Sequence, residues 1–327
     1  MTTLPLTEST PMTPSTARNA QIKKLFAKIW LYRYLYLLAL PGVIYFLVFS
    51  YLPMWGVLIS FKDFRLFRGF ADSPWVGLDH FIFFFTSPNF PRLLRNTIII
   101  SGLHLLFVFP APIILAILLN ELKNGIFKKF VQTVSNLPHF ISWVVIGGLL
   151  TYTFSQSMGV VNLWLLSSGS EPLHILGNKS AFYSLVVGTN IWKELGWGAI
   201  IYLAAITGIN PELYEAATVD GANRFQRILN ITIPGITSVI IIMMILQISS
   251  ILNTDFLQIL ILQGSDASLY EVGDVIDTWV YRAGFLKSQL SLATAVGVFK
   301  GVVGLVLVLL ANKAAHLITG DGLWTRK

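Results

Sequence analysis

Six long runs of apolar residues are the feature that most constrains what this chain can fold into. Each run is long enough to cross a lipid bilayer, which takes about 20 mainly apolar residues. The runs are residues 34–60, 97–119, 131–154, 181–207, 233–263 and 290–316. They are continuous rather than alternating, so they predict helices and not the strands of a membrane barrel. The sequence therefore predicts an all-α integral membrane protein with six transmembrane helices.

The composition agrees with a membrane protein. Charged residues make up 12% of the chain, against about 25% in an average soluble domain. The chain has no cysteine, which excludes disulfides, thiol catalysis and thiolate metal sites. No basic face with interleaved aromatic residues stands apart from the apolar runs, so the net charge of +7 does not indicate a nucleic-acid partner.

The N-terminal segment differs from the rest of the chain. Residues 1–30 are rich in Ser, Thr and Pro and end in the basic residues Lys23, Lys24 and Lys28, which predicts a disordered tail. The apolar run that follows is longer than the core of a signal peptide, which is about 7–15 residues, so we expect a retained helix. Residues 31–327 would then form the membrane domain. Basic residues are more numerous on the side of the two termini, which predicts that both termini are cytoplasmic.

A polar segment, residues 210–234, separates the fourth and fifth runs on the predicted cytoplasmic side. Asn210 and Pro211 are typical of a helix start, and Gly221 is typical of a helix end. Arg224 begins a second short amphipathic stretch, and Pro234 marks its end and the start of the fifth run. The pattern predicts a helix, a glycine turn and a second helix at the membrane surface. From this pattern alone, a simple connector between two spans fits as well as a docking element.

The stretch "EAATVDGANRFQRILNITIP" resembles the EAA loop of the membrane subunits of ABC importers. The residues in register with that pattern are Glu215, Ala216, Ala217, Gly221, Ile231 and Pro234, with Ile233 where leucine is usual. "VGLDHFIFFFTSPNFPRLLRNT" is similar to the segment before the second span of sugar-importer permeases. "NLPHFISWVVIGGLL" and "GINPELYEAATVDGA" resemble the branch that imports oligosaccharides and polysaccharide fragments, including alginate.

The resemblance implies a MetI- and maltose-permease-like core and a role as the permease subunit of an ATP-driven ABC importer. The implied substrate is an oligosaccharide or polysaccharide fragment, acidic and alginate-like ones included. The implied location is the bacterial cytoplasmic membrane, with several membrane passes. The resemblance also implies a second homologous permease in a heterodimer, two cytoplasmic ABC ATPase subunits and an extracytoplasmic solute-binding protein.

The same resemblance assigns roles to individual residues. Coupling to the ATPases falls on Glu215, Ala216, Ala217, Asp220, Gly221, Arg224 and Pro234. The ATPase subunits would bind ATP and Mg²⁺, and this chain, which has no GxxxxGK[ST] phosphate loop, would bind no cofactor.

Several polar residues lie inside the apolar runs, where a charge is costly. Lys193, Glu194, Asp255 and Lys300 are the charged ones. Neighbours on a helix point about 100° apart, so Lys193 and Glu194 are each expected to pair with another helix rather than with each other. Packing and direct contact with a sugar both remain open for these residues.

The fifth run carries a longer polar pattern. Gln247, Ser250, Thr254 and Gln258 fall on one stripe of a continuous helix, and Asp255 borders it. Such a stripe could pair with another helix or line a sugar pathway. Aromatic residues could stack on sugar rings. The predicted pathway residues are Gln247, Ser250, Thr254, Asp255, Gln258, Glu194, Trp197 and Tyr152.

Two other classes of function have sequence signatures of their own. A polytopic membrane enzyme acting on lipid-linked sugars would be expected to carry a clustered acidic site such as DxD, and neither this nor HExxH or GxSxG occurs. A secondary transporter would be expected to show inverted repeats, and no convincing repeat is present. We therefore predict a transport subunit with no catalytic residue and no metal site.

Overall fold

The computed structural model describes residues 27–28, 30–122, 125–264 and 266–319. Over these residues the chain is mostly helical and contains no strand beyond a single bridge between Lys62 and Trp75, as the all-α prediction requires. The predicted disordered tail, residues 1–30, lies outside the described residues except at 27–28 and 30. The chain divides into two compact units, residues 1–58 and 59–327.

The first unit contains nearly all of helix α1, Arg33–Phe61, which covers the first predicted span. Its geometry changes along its length, with a π-helical turn at Leu47–Tyr51 and a 3₁₀ segment at Leu52–Phe61. Pro53 supplies no backbone donor at this point, which accounts for the departure from regular α geometry.

The second unit contains the remaining helices. They are α2 (Asp79–Thr86), α3 (Phe90–Glu121), α4 (Ile126–Phe140), α5 (Trp143–Phe154), α6 (Val160–Ser167), α7 (Lys179–Thr207), α8 (Pro211–Val219), α9 (Arg224–Ser249), α10 (Phe256–Gln263), α11 (Tyr270–Gly273), α12 (Ile276–Tyr281) and α13 (Leu290–Thr319). The second, fourth and sixth predicted spans lie within α3, α7 and α13.

Not every predicted span meets a test of length and apolarity. Among the described residues, four helices could cross a membrane on this basis, namely α1, α3, α9 and α13, and a fifth span results if α4 and α5 are counted together. Helix α7, which carries Lys193 and Glu194, is outside this set. The count of six spans and the cytoplasmic termini therefore stay predictions.

The third predicted span, residues 131–154, is wrong as a single straight helix. Helices α4 and α5 meet at 101°. Pro138 lies in the 3₁₀ turn that ends α4, where the missing donor favours a break. The Ser142 side chain then accepts a bond from the Val145 backbone N at 3.4 Å and caps α5.

The fifth predicted span, residues 233–263, is also wrong as one helix. Helix α9 ends at Ser249 and α10 begins at Phe256, with a non-helical break at residues 250–255. The Ser101 hydroxyl on α3 donates to the Ile251 carbonyl at 2.5 Å, and Asp255 caps α10. A side chain of α3 and one within the break thus satisfy two of the backbone groups at this break.

The start of the fifth predicted span also differs from the prediction. Helix α9 runs without interruption from Arg224 to Ser249, so Pro234 does not separate a short amphipathic helix from the fifth span. A π-helical turn at Ile228–Thr232 precedes Pro234 and absorbs its missing backbone donor.

Small residues let helices of the second unit pack closely. A Cβ atom added to Gly196 on α7 would lie 2.3 Å from the Ser135 backbone of α4, and one added to Gly198 would lie 2.8 Å from Pro112 of α3. Small residues that permit close approach are typical of helix packing in membranes. This packing holds α7 against both α3 and α4.

The chain between α10 and α13 is held by polar contacts. Asp274 is buried and forms ion pairs with Arg92 and Arg282, while the Asn96 side chain donates to the Asp274 and Glu271 carbonyls. At the surface, the Lys179 amine lies 2.5 Å from Glu271 and holds the pKa of that carboxyl below its usual range. These contacts fix the chain that precedes α13.

Candidate functional site

Helix α8 forms the first half of the predicted coupling loop and has a well-formed start. The Asn210 side chain accepts a bond from the Glu212 backbone N at 3.1 Å, and Pro211 occupies the first turn. Both features follow the expected N-terminal pattern. Glu215 and Ala216 are exposed on this helix, whereas Ala217 is half-buried.

The end of α8 is a glycine turn, as the sequence predicts. Gly221 has φ +79°, in the left-handed region that favours glycine. The Asp220 backbone N donates to the Ala216 carbonyl at 2.9 Å, and the Ala222 N donates to the Ala217 carbonyl at 2.8 Å. These bonds satisfy the last carbonyls of α8.

A capping box then starts α9, which the sequence reasoning missed. The Asn223 side chain accepts from the Gln226 backbone N at 2.9 Å, and the Gln226 side chain accepts from the Asn223 N at 2.8 Å. The spacing Asn-x-x-Gln was a readable signal for this motif.

Side-chain contacts fasten α8 to the long helix α9. The Tyr214 hydroxyl lies 3.0 Å from the hydroxyl of Thr232, which is buried, and Arg227 donates to the Thr218 hydroxyl at 3.0 Å. Gly235 lies against Ile209, because an added Cβ would come within 2.6 Å of that side chain. Displacement of α8 should therefore be transmitted to α9.

The loop exposes large apolar side chains beside its charged ones. Leu213, Val219 and Phe225 are all exposed, and Val219 and Phe225 flank the Gly221 turn. Asp220 and Arg224 are exposed in the same region. Apolar side chains grouped at a surface and edged with polar residues are typical of a protein interaction site.

A cavity of about 290 Å³ lies between α3, α7, α9 and the break at residues 250–255. Four predicted pathway residues line it, namely Glu194, Trp197, Gln247 and Asp255. The other lining residues are His104, Val108, Phe109, Pro112, Asn190, Gly198, Tyr202 and Met243. The cavity thus combines carboxylates, amides and aromatic rings.

A second cavity of about 20 Å³ adjoins the break. Ser250 and Thr254 line this smaller cavity, and His104 and Gln247 line both cavities. These four side chains therefore lie near one another although they come from two helices and a break.

The end of α4 holds the acidic residue of α7. Glu194 lies 2.8 Å from the His139 ring nitrogen, and the Lys193 amine donates to the His139 and Ile141 carbonyls at 2.5 and 3.0 Å. The prediction that Lys193 and Glu194 each contact another helix is confirmed, but the expectation that they do not pair with each other is wrong, because they also form an ion pair at 3.7 Å. Trp197 stacks on His139 with ring centroids 4.4 Å apart.

Asp255 is positioned from two directions. Its carboxylate accepts a bond from the Trp143 indole N at the start of α5, and it also accepts from the Gln258 backbone N at 3.4 Å. The carboxylate is therefore held at the edge of the larger cavity by both α5 and α10.

Two predicted pathway residues lie away from these cavities. Gln258 is 1% exposed, and its amide donates to the Val186 carbonyl at 2.7 Å and the Thr189 hydroxyl at 2.9 Å. The predicted continuous stripe that joins Gln247 to Gln258 is wrong, because the break turns α10 away from α9. Tyr152 is 69% exposed on α5 and lines neither cavity.

Sequence reasoning missed several residues of the larger cavity. His104, Asn190 and Tyr202 line it, and His104 begins a π-helical turn of α3. A polar side chain within an apolar run was the available signal for His104 and Asn190. Among the described residues, no group of three or more His, Cys, Asp or Glu side chains could hold a metal ion.

Comparison with known proteins decides the family. Residues 108–318 match the family model described as "Binding-protein-dependent transport system inner membrane component". The chain belongs to this family. It is 46% identical over 302 residues to the polygalacturonan/rhamnogalacturonan transport system permease protein YteP of Bacillus subtilis (strain 168), covering 92% of this chain and 94% of that one. Protein LplB of the same organism is also 46% identical, over 89% of this chain and 91% of that one.

A solved structure is similar over nearly the whole chain. It is the crystal structure of a bacterial alginate ABC transporter in complex with an alginate pentasaccharide-bound periplasmic protein. Its matching chain has a TM-score of 0.81 and 41% identity, and the match covers 92% of this chain and 100% of that chain. The expected MetI-type permease fold is therefore confirmed.

Membership of the family settles the broad class of this permease. It is a multi-pass inner-membrane component of an ABC transport system and not an enzyme. The alternative of a membrane enzyme acting on lipid-linked sugars receives no support from these relatives. The family implies that the permease works with a second membrane subunit, an ATPase and a solute-binding protein.

Proposed function

We propose that this permease forms half of the translocation pathway for an oligosaccharide or polysaccharide fragment. The observation that carries the proposal is the larger cavity, where Glu194, Trp197, Gln247 and Asp255 converge between membrane helices. Polar groups inside a membrane are costly unless they have a partner, and hydroxyl-rich sugars provide one in transit. The relatives named for polygalacturonan, rhamnogalacturonan and alginate support an acidic polysaccharide fragment as substrate.

The lining of the cavity limits how this subunit could recognise such a substrate. Glu194 and Asp255 are carboxylates, and no Lys or Arg among the described residues lines the cavity. A uronate carboxylate would therefore be repelled here, whereas sugar hydroxyls could donate to both acids and to the Gln247 and Asn190 amides. We infer that this chain binds hydroxyl groups and the faces of sugar rings, and that the uronate carboxylates are directed away from Glu194 and Asp255.

Coupling to ATP hydrolysis is assigned to residues 210–234. In this proposal α8 inserts into a cleft of a cytoplasmic ATPase subunit, with the small residues Ala216 and Ala217 allowing close approach and Gly221 forming the turn. Glu215, Asp220 and Arg224 would make the polar contacts. Pro234, with the π-helical turn that precedes it, would set the path of α9 as it leaves the loop.

The complete transporter would contain this chain and a different homologous permease, with two ATPase subunits that bind ATP and Mg²⁺. An extracytoplasmic solute-binding protein would deliver the sugar. The side-chain contacts between α8 and α9 support the coupling of the ATPases to the pathway, because α9 reaches the cavity at Gln247. Movement of an ATPase could then change the shape of the cavity.

The test is ATP hydrolysis by the co-expressed complex in nanodiscs, with its binding protein and either oligogalacturonate, oligoalginate or a neutral maltooligosaccharide. Stimulation by at least one of the acidic oligosaccharides, with little response to the neutral one, is expected. Stimulation by none of the three would contradict the proposed substrate class. Failure of ATPase subunits to co-purify with the permease would contradict the coupling role.

A further inference from the structure

The chain between α1 and α3, residues 62–89, forms an ordered turn followed by α2. Lys62 bridges to Trp75, the Asp63 backbone N donates to the Pro74 carbonyl at 2.9 Å, and the Val76 N donates to the Phe61 carbonyl at 2.9 Å. These bonds close the base of a loop that is formed by residues 64–73.

Contacts inside this loop hold its shape. The buried Lys62 amine donates to the Phe70 carbonyl at 2.7 Å and lies 4.3 Å from the Phe70 ring centroid and 4.9 Å from that of Trp75. The Ser73 hydroxyl donates to the Gly69 carbonyl at 2.6 Å, and Gly69 has φ +70°. The turn is therefore fixed from within.

The outer side of this ordered segment is apolar. Phe67 is 102% exposed at the tip, and its neighbour Leu66 is also exposed. Leu78, just before α2, and Ile82 and Phe85 on α2 recur at helical spacing and are exposed, whereas Phe84 is buried against the core. A rigid segment that presents this much apolar surface needs an apolar environment.

The lengths of two helices place this segment at one membrane surface. Helix α3 has 32 residues and is about 48 Å long at about 1.5 Å per residue. It starts beside the segment at Phe90 and ends at Glu121, which shares a cavity with Tyr214 of α8. A bilayer with its headgroups is about 40–45 Å thick. The segment therefore lies at the interface opposite the coupling loop.

The start of α13 supports the same placement. The Phe64 backbone N donates to the Ser291 hydroxyl at 2.9 Å, in the first turn of that helix. Helix α13 has 30 residues and is about 45 Å long, again close to the full thickness of a bilayer.

We propose that residues 64–86 are an interfacial anchor that binds the phospholipid surface opposite the coupling loop. Leu66, Phe67 and the exposed face of α2 enter the boundary between headgroups and acyl chains. Arg65 and Arg68 flank the tip on both sides and contact lipid phosphates, with Arg65 also 3.1 Å from Asp63. Apolar side chains edged by arginine are suited to this boundary, which is apolar on one side and anionic on the other.

The absence of cysteine from the chain makes the anchor directly measurable. The variant Phe67→Cys is labelled with an environment-sensitive fluorophore. The assembled transporter that contains it is then reconstituted into nanodiscs of phosphatidylethanolamine and phosphatidylglycerol. Spin-labelled lipids are expected to quench most of the emission, which should be shifted to the blue. Asp72→Cys, an exposed polar position on the same turn, is the matched control and should be quenched less.

A second comparison tests the lipid phosphates. Quenching at Phe67→Cys should fall when Arg65→Gln and Arg68→Gln are added. Phosphatidylcholine in place of phosphatidylglycerol keeps the phosphates and removes the net negative charge, so it should lower the quenching less than the two arginine substitutions do. Quenching that is unchanged by Arg65→Gln with Arg68→Gln would refute the phosphate contacts. Water-like, unquenched emission at Phe67→Cys would overturn the anchor. A blue shift without lipid quenching would overturn it as well, and would assign the surface to a protein partner.

Discussion

Lys300 of α13 and Asp277 of α12 form an ion pair in the interior of the second unit, with side chains only 10% and 18% exposed. The other oxygen of Asp277 accepts from the Thr254 backbone N at 2.9 Å and from its hydroxyl at 3.2 Å. The pair thus connects α13 to the break at residues 250–255, one residue before the cavity-lining Asp255. An ionic contact between two helices fixes the backbone at the edge of the proposed pathway.

The first prediction concerns this pair. Asp277→Asn leaves the Lys300 charge buried without its counterion, which costs about 3–5 kcal/mol in the free energy of unfolding. A lower thermal midpoint of the detergent-solubilised permease is expected. The double variant Lys300→Met with Asp277→Asn should recover most of the loss, because it removes the unpaired charge and keeps a side-chain oxygen that can accept from Thr254. The surface variant Asp72→Asn is the control. Equal midpoints for Asp277→Asn and the native chain would contradict this role.

The second prediction concerns the glycine turn of the coupling loop. Gly221→Leu forces a side chain into the left-handed region at a cost of about 1–2 kcal/mol, although the space around a Cβ is open. The variant should insert normally and lose most substrate-stimulated ATP hydrolysis. Gly221→Asn is the matched control, since asparagine tolerates this conformation, and it should retain more activity. Full activity in Gly221→Leu would argue against a coupling role for the turn.

Local signals made the coupling loop predictable. Asn210, Pro211 and Gly221 act through their own backbone and neighbouring residues, so a helix ended by a glycine turn could be read directly from the sequence. The resemblance to the EAA loop depended on the same short stretch. Residues in this segment need no distant partner to take up their conformation.

The breaks in the third and fifth spans were harder to predict, for different reasons. Pro138 was a visible signal of the first break, and the apolar run around it masked that signal. The second break has neither proline nor glycine between Gln247 and Asp255. It depends on Ser101 and Asp277, which are distant in sequence and bond to this segment only in the folded chain.

The third prediction uses the break to separate pathway residues from packing residues. Single cysteines at Gln247, Ser250 and Thr254 should react with a hydrophilic maleimide in the assembled transporter, because these residues line the cavities. A cysteine at Gln258 should react much more slowly, since that side chain is buried and bonded to α7. Bound oligosaccharide should slow labelling at Gln247. Equal labelling at Gln258 and Gln247 would contradict the assignment.

The fourth prediction concerns Trp197, whose ring stacks on His139 and lines the larger cavity. If the indole contacts a sugar ring, Trp197→Ala should raise the KM for transport about tenfold, equivalent to about 1.4 kcal/mol, with a smaller change in kcat. Trp197→Phe keeps an aromatic face and should have a milder effect. The measurement is uptake of labelled oligosaccharide by proteoliposomes. An unchanged KM in Trp197→Ala would remove this residue from the pathway.

The central claim is that the coupling loop controls the cavity through α9. The most direct measurement is the rate of maleimide labelling of Gln247→Cys, with and without nucleotide trapping, in the native loop and in the Gly221→Leu loop. The claim predicts that trapping changes the rate severalfold with the native loop and leaves it nearly unchanged with Gly221→Leu. The same nucleotide-dependent change in both loops would contradict coupling through residues 210–234.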